Sequence, residues 1–169
     1  MPVTHKLIQT VTVGDAGLAS IEFTSIPQTF TDLKIIVSSR ATGAAVDVMG
    51  IAFNGGSVVI TGARYLDSNN SGAPRHGALY YYQGLSQPSS YTAGVFASSE
   101  FYVPNYSSAS YSKSISADSV LETNATGSYM GITASWWNNT SAITSLTITQ
   151  VNGNFVQYSS ASLYGIKNS

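Results

Sequence analysis

Any catalysis by this chain would have to be assembled from eight carboxylates and two histidines. The carboxylates are Asp15, Glu22, Asp32, Asp47, Asp67, Glu100, Asp118 and Glu122. None falls in a calcium-loop pattern or a His-Glu-x-x-His helix. Glycosidase chemistry needs two carboxyls about 5–9.5 Å apart across a sugar, and no local spacing here supplies such a pair. Asp118 and Glu122, at the end of an alternating segment, read as solvent or interface groups. His76 stands beside Arg75 in a glycine-rich stretch with Asp67 upstream, either as a loop site or as an exposed loop side chain. His5, next to Lys6, reads as a terminal contact. A Ser-His-Asp triad requires a histidine held against an acid, and no Gly-x-Ser-x-Gly elbow or phosphate loop accompanies these residues. The sequence predicts no enzyme, no cofactor and no metal site.

Recognition groups stand out more than reactive ones. Tyr80, Tyr81 and Tyr82 are consecutive, as are Trp136 and Trp137. On a strand, neighbours point to opposite faces, so each run must present at least one ring outward. Exposed aromatics anchor protein interfaces or stack on sugars, and they also pack at sheet edges. These five residues are the candidate interface. Asn69, Asn70, Arg75 and His76 are the candidate exposed loop.

Composition bounds the class of partner. Seven Lys and Arg face eight Asp and Glu, with a net charge of −1 and charged residues at 9%. A soluble monomer carries roughly 25–35% charged residues at its surface, so much of this surface is expected to be covered by protein. With no basic stripe, nucleic-acid binding lacks its main source of affinity. No apolar run approaches a membrane span, and the start lacks the pattern of a signal peptide. There is no cysteine, which removes disulfides and thiolate chemistry. The Asn-x-Ser/Thr sites at Asn105, Asn124, Asn138 and Asn139 read as turns.

The elements that would position these groups are strands. Apolar residues alternate over 7–13, 33–37, 46–53, 58–65, 95–103, 111–121, 129–137 and 143–151. Turn signals separate them, about ten strands spaced as in sandwiches and barrels. Gly14-Asp15-Ala16-Gly17 reads as a hairpin loop between 7–13 and 21–23. Asn54-Gly55-Gly56 reads as a strong turn. Residues 67–77 read as an exposed loop and 78–82 as a short aromatic strand. Segments 129–137 and 143–151 are expected to pair around Asn138–Ser141, and Asn152-Gly153 to make a tight hairpin into 155–158. The expected fold is all-β: one antiparallel β-sandwich domain over 1–169, jelly-roll-like, with a closed barrel as second choice. Residues 1–13 are expected as an N-terminal arm or edge strand.

Three stretches taken together resemble a known family. They are Ile26-Pro27-Gln28-Thr29-Phe30-Thr31-Asp32-Leu33, the run Tyr102-Val103-Pro104-Asn105-Tyr106 leading into 113–120, and Gly153-Asn154-Phe155 through Leu163-Tyr164-Gly165-Ile166. They are similar to small β-sandwich virion surface proteins of tailed bacteriophages, common among cyanophages and other aquatic phages. The resemblance implies a place on the particle exterior, capsid or tail, after synthesis in the host cytoplasm. The leading expectation is a capsid decoration (cement) protein, a homo-oligomer, expected as a trimer, bound to the major capsid protein. The alternative is a tail-fibre or receptor-binding module recognising host glycan through Tyr80–Tyr82, Trp136, Trp137 and the loop 67–77, with binding lost on Trp137→Ala.

Overall fold

The computed structural model describes residues 4–57, 61–68, 74–77, 83–124 and 126–167, and for 61–68 and 74–77 the backbone alone. Every regular element among them is a strand. They run β1 (His5–Thr12), β2 (Ser20–Phe23), β3 (Asp32–Ser39), β4 (Asp47–Phe53), β5 (Thr61–Ser68), β6 (Pro74–Gly77), β7 (Gly84–Ser86), β8 (Ala97–Val103), β9 (Lys113–Glu122), β10 (Ser128–Trp137), β11 (Leu146–Gln150) and β12 (Ser160–Ile166). All pair antiparallel.

The strands form two sheets, neither closed into a barrel. One has eight strands in the order β1-β12-β3-β8-β9-β10-β5-β6, the other four in the order β2-β11-β4-β7. The first four strands of the large sheet, set against the small sheet, have the strand order of an eight-stranded jelly roll. Two insertions depart from it. One, between β4 and β7, contributes β5 and β6. The other, between β8 and β11, contributes β9 and β10. Side by side, they extend the large sheet beyond β8 as a four-stranded wing.

Alternation makes the jelly roll cohere. Leu33, Ile35 and Val37 of β3 turn inward to meet Phe101 and Val103 of β8, Ile51 and Phe53 of β4, Ile148 of β11 and Leu163 of β12. Fully burying each such side chain stabilises by roughly 1.5–3 kcal/mol. Tyr106 closes one end: its ring is buried and its hydroxyl donates to the carbonyl of Pro27. β1 is an edge strand, paired on one side with β12 and otherwise largely exposed.

Several expected pairings are overturned. β1 and β2 are not a hairpin around 14–17, because they belong to different sheets. Segments 129–137 and 143–151 do not pair: β10 lies between β9 and β5, while β11 lies between β2 and β4. Residues 155–158 form no hairpin with β11. Phe155 instead bridges Leu18 and Ala41. The turn at Asn54 and Gly55 does form, both residues having positive φ, but it carries the chain from one sheet toward the other. Turn residues reverse direction without choosing a partner, and sandwich closure makes that choice. The stretch 67–77 is also not wholly loop. Asp67 and Ser68 end β5, and Pro74–Gly77 form β6, with Arg75 opposite Asp67 and His76 opposite Leu66. Backbone pairing at the sheet edge overrides the Gly/Pro composition there.

Candidate interaction face

The recognition candidates that are described lie on two strands of the wing. Trp136 and Trp137 end β10, and Arg75 and His76 lie on β6, two strands further along the same sheet. Tyr80, Tyr81, Tyr82, Asn69 and Asn70 lie outside the described residues.

β10 is inverted in polarity. Met130, Ile132, Ala134 and Trp136 all point outward, and Gly131, Thr133 and Ser135 point inward. Ile132 is 49% and Met130 51% exposed, and Val120, directly across on β9, is 46% exposed. Exposed apolar side chains scattered singly are ordinary, but a contiguous strip of them marks a contact surface. Around the strip stand Ser114, Ser116 and Ser98, also outward. The charged groups described on this side of the sheet are Asp118, directly opposite Ile132, Glu122, which lines a cleft with Val120 and Ser98, and the ion pair of Lys34 Nζ with Glu100 Oε1 at 2.7 Å.

The cause of the inversion lies beneath the sheet. β7 is an edge strand of the small sheet, so one side of its backbone has no strand partner. Hydroxyls from the large sheet fill that role. Ser119 Oγ accepts from the amide of Leu85 (3.2 Å), and Ser99 Oγ donates to the Leu85 carbonyl (3.0 Å). Thr133 Oγ1 donates to the Gln83 carbonyl (3.1 Å). Buried backbone groups must be paired, so the inner residues of β8, β9 and β10 here are Ser and Thr. Gly84 lets β7 approach this closely, since a Cβ there would stand 2.8 Å from the Phe101 ring. With Thr133 turned inward, strand geometry turns Met130, Ile132 and Trp136 outward.

The two tryptophans therefore divide. Trp136 is 43% exposed, while Trp137 packs against the core, edge-on to Phe53 with ring centroids 5.3 Å apart. Beside Trp137 lies a group the sequence reading missed. Lys113 is 1% exposed, and its Nζ donates to the carbonyls of Ser108 (2.7 Å), Thr140 (2.8 Å) and Ser141 (2.6 Å). The ammonium also sits 5.6 Å from the Trp137 ring centroid, within cation–π range. Burial pushes its pKa below the usual lysine value. Arg40 is similar. Its guanidinium donates to the carbonyls of Ser89, Tyr91, Thr92 and Val95 at 2.7–3.0 Å. Two of the seven basic residues thus work inside the molecule as pins for loops. Alternation places Lys113 in phase with the inward Ile115 and Ala117, the one sequence signal that pointed to it.

Two acids are inside as well. Asp32 accepts from the Tyr102 hydroxyl (2.6 Å) and the Asn105 amide (2.9 Å), and this bond pushes the Tyr102 pKa up to about 12. Asp47 is fully buried. Its Oδ1 accepts from the amides of Val48 and Asn152, and burial raises its pKa. Its Oδ2, like Gln150 Oε1, has no hydrogen-bonding partner. The exterior is therefore even poorer in charge than the composition implied.

Among the described residues, no three His, Cys, Asp or Glu side chains cluster as metal ligands. Two clefts, one at Lys6, Ile8 and Phe30 and one at Phe96, Val120 and Glu122, measure about 240 Å³ each, below the roughly 300–1,000 Å³ of small-molecule sites. Comparison with family models, with curated proteins and with solved structures finds no match.

Proposed function

We propose that the protein is a structural component of a bacteriophage virion, a decoration (cement) protein bound to the outside of the major capsid shell. The observation that carries this reading is the charge-poor exterior: two basic side chains are turned inward as pins, and an apolar strip is turned outward on the wing. Such a surface suits permanent burial against protein, where charged residues are depleted and Trp and Met enriched. The action is mechanical. Interfaces of about 1,200–2,000 Å² per copy, repeated over a shell, stiffen it against the pressure of packaged DNA. The jelly roll supplies the supporting body and the inserted wing the contact surface, in keeping with function residing in sites grafted onto folds. Quantifying the protein in purified particles tests the reading. A copy number comparable with that of the shell subunits is expected. A value an order of magnitude lower would move the protein to the tail and overturn the proposal.

One observation favours a second reading, a tail module binding host glycan. The exposed Trp136 ring lies opposite Ser114 on the wing, the pairing of stacking surface and hydroxyl that sugars use. Trp137, packed on Phe53, is the wrong residue to remove. Saturable binding on a glycan array, lost on Trp136→Ala, would establish this reading.

A further inference from the structure

We propose that Asn152 is a site of spontaneous covalent modification, converted to aspartate and isoaspartate through a succinimide, and that the fold protects the chain's other Asn-Gly pair. The inference concerns the isolated chain and stands apart from the virion reading.

The sequence has two such pairs, Asn54-Gly55 and Asn152-Gly153. The chemistry needs a backbone nitrogen that reaches the preceding side chain, and glycine, with no Cβ, hinders that approach least. The Gly153 nitrogen, its proton taken by hydroxide, attacks Cγ of Asn152. The N–Cγ bond forms and the Cγ–Nδ2 bond breaks. The nitrogen leaves as ammonia, with water supplying its proton. Water then opens the ring. Its attack at Cγ gives aspartate, and its attack at the main-chain carbonyl gives isoaspartate, whose backbone is one carbon longer. The balance is one water in and one ammonia out, with no other reactant.

Both pairs are exposed, so access does not separate them. Side-chain freedom does. Asn54 Oδ1 accepts from the amides of Thr144 (2.8 Å) and Ser145 (3.2 Å), and its Nδ2 donates to the Ala142 carbonyl (2.8 Å). Cyclisation there would break all three bonds. Asn152 is held far less. Among the described residues its side chain makes one hydrogen bond, from Nδ2 to Asp47 Oδ1 at 3.4 Å, beyond the ordinary range of about 2.7–3.2 Å. The fold also keeps the reactive neighbour in place. Gly153 has a φ of +97°, which glycine adopts at no steric cost, and a Cβ there would overlap Thr42 Oγ1.

The product falls where it does harm. The new carboxylate takes the place of the amide beside fully buried Asp47, which sets two like charges together. In isoaspartate the longer backbone also displaces Asn154 from Thr42. Two bonds join them, Asn154 N to Thr42 Oγ1 (3.0 Å) and Thr42 N to the Asn154 carbonyl (2.9 Å). They tie the segment after β11, in the small sheet, to the segment after β3, in the large one.

Peptide mapping by mass spectrometry, on the folded chain aged in mildly alkaline buffer, tests this. Asn152 is expected to convert, with isoaspartate among the products. Asn54 is expected to convert at least about tenfold more slowly, because its hydrogen bonds must break first. In urea, with the fold gone, the two rates should come together. Asn152→Gln should silence the site, and Asn152→Asp should lower the urea midpoint as ageing does. The comparison of the two sites within the wild type needs no variant, so it decides the matter even where these fold poorly. An Asn152 that stays intact overturns the proposal, as does an Asn54 that converts as fast in the folded chain. Rates that remain unequal in urea would place the difference in the sequence and overturn it as well.

Discussion

Replacing Lys113 by Met isolates the inward-turned charge. The Met side chain keeps most of the aliphatic stem's volume, so the change removes the ammonium and little packing. Three charge-assisted hydrogen bonds of 2.6–2.8 Å are lost, each contributing about 1.5–3 kcal/mol. Against them stands the cost of burying an ammonium, several kcal/mol, which the variant recovers. The contact with Trp137 contributes up to about 2 kcal/mol when desolvated. The balance is a net loss of about 3 kcal/mol, because the carbonyls of Ser108, Thr140 and Ser141 are left without their donor. For a chain of this size that lowers Tm by roughly 6–12 °C. Urea unfolding should show a lower midpoint at unchanged slope. Amide exchange should also report a local effect: the amide of Ile143, bonded to the Tyr106 carbonyl at 2.9 Å, should lose protection before the strands do. A variant within about 0.5 kcal/mol of wild type, with Ile143 still protected, would refute the pinning argument.

Further predictions follow from the same geometry. Arg40→Lys should destabilise by about 1–3 kcal/mol and open residues 88–96 to proteolysis, since one ammonium cannot span the four carbonyls that the planar fork reaches. Asp47 has a folded pKa raised above its reference value of 3.8. Its contribution is therefore fully present below that value and lost as pH rises through the folded one. Asp47→Asn keeps an oxygen for the Val48 and Asn152 amides, so its stability relative to wild type should increase from about pH 4 upward; a urea-midpoint difference independent of pH would refute this. Tyr102, with its pKa at about 12 against 10.0, adds stability that is present below pH 10 and lost between those values. Tyr102→Phe should remove that alkaline segment from the unfolding profile. Finally, Trp137→Ala should cost about 2–4 kcal/mol by opening a gap against Phe53, and Trp136→Ala under about 0.5 kcal/mol. Equal costs would contradict their assignment to opposite faces.

The all-β class and most strand positions were legible in the sequence because a period of two is a local property. Lys113 through Leu121 alternates cleanly, and it is a strand with Lys113, Ile115, Ala117, Ser119 and Leu121 inside. The outward turn of one residue of the pair Trp136 and Trp137 was legible for the same reason. Partners were not. The turn at Asn54 looks like a hairpin, yet its strands enter different sheets, because the jelly roll pairs β4 with β11, nearly 100 residues further along the sequence, and with β7.

The face of β10 was the hardest feature to read. Its sequence, Met-Gly-Ile-Thr-Ala-Ser-Trp, declares two sets of residues and invites burial of the apolar one. Alternation alone determined that Met130, Ile132 and Trp136 share a side. Only the tertiary structure decided that this side is the outer one. The decision belongs to β7, whose unpaired backbone lies under the large sheet and draws hydroxyls from Ser99, Ser119 and Thr133. Leaving those buried amides and carbonyls unbonded would cost about 1–3 kcal/mol each, comparable to what burying Met130 or Ile132 would return.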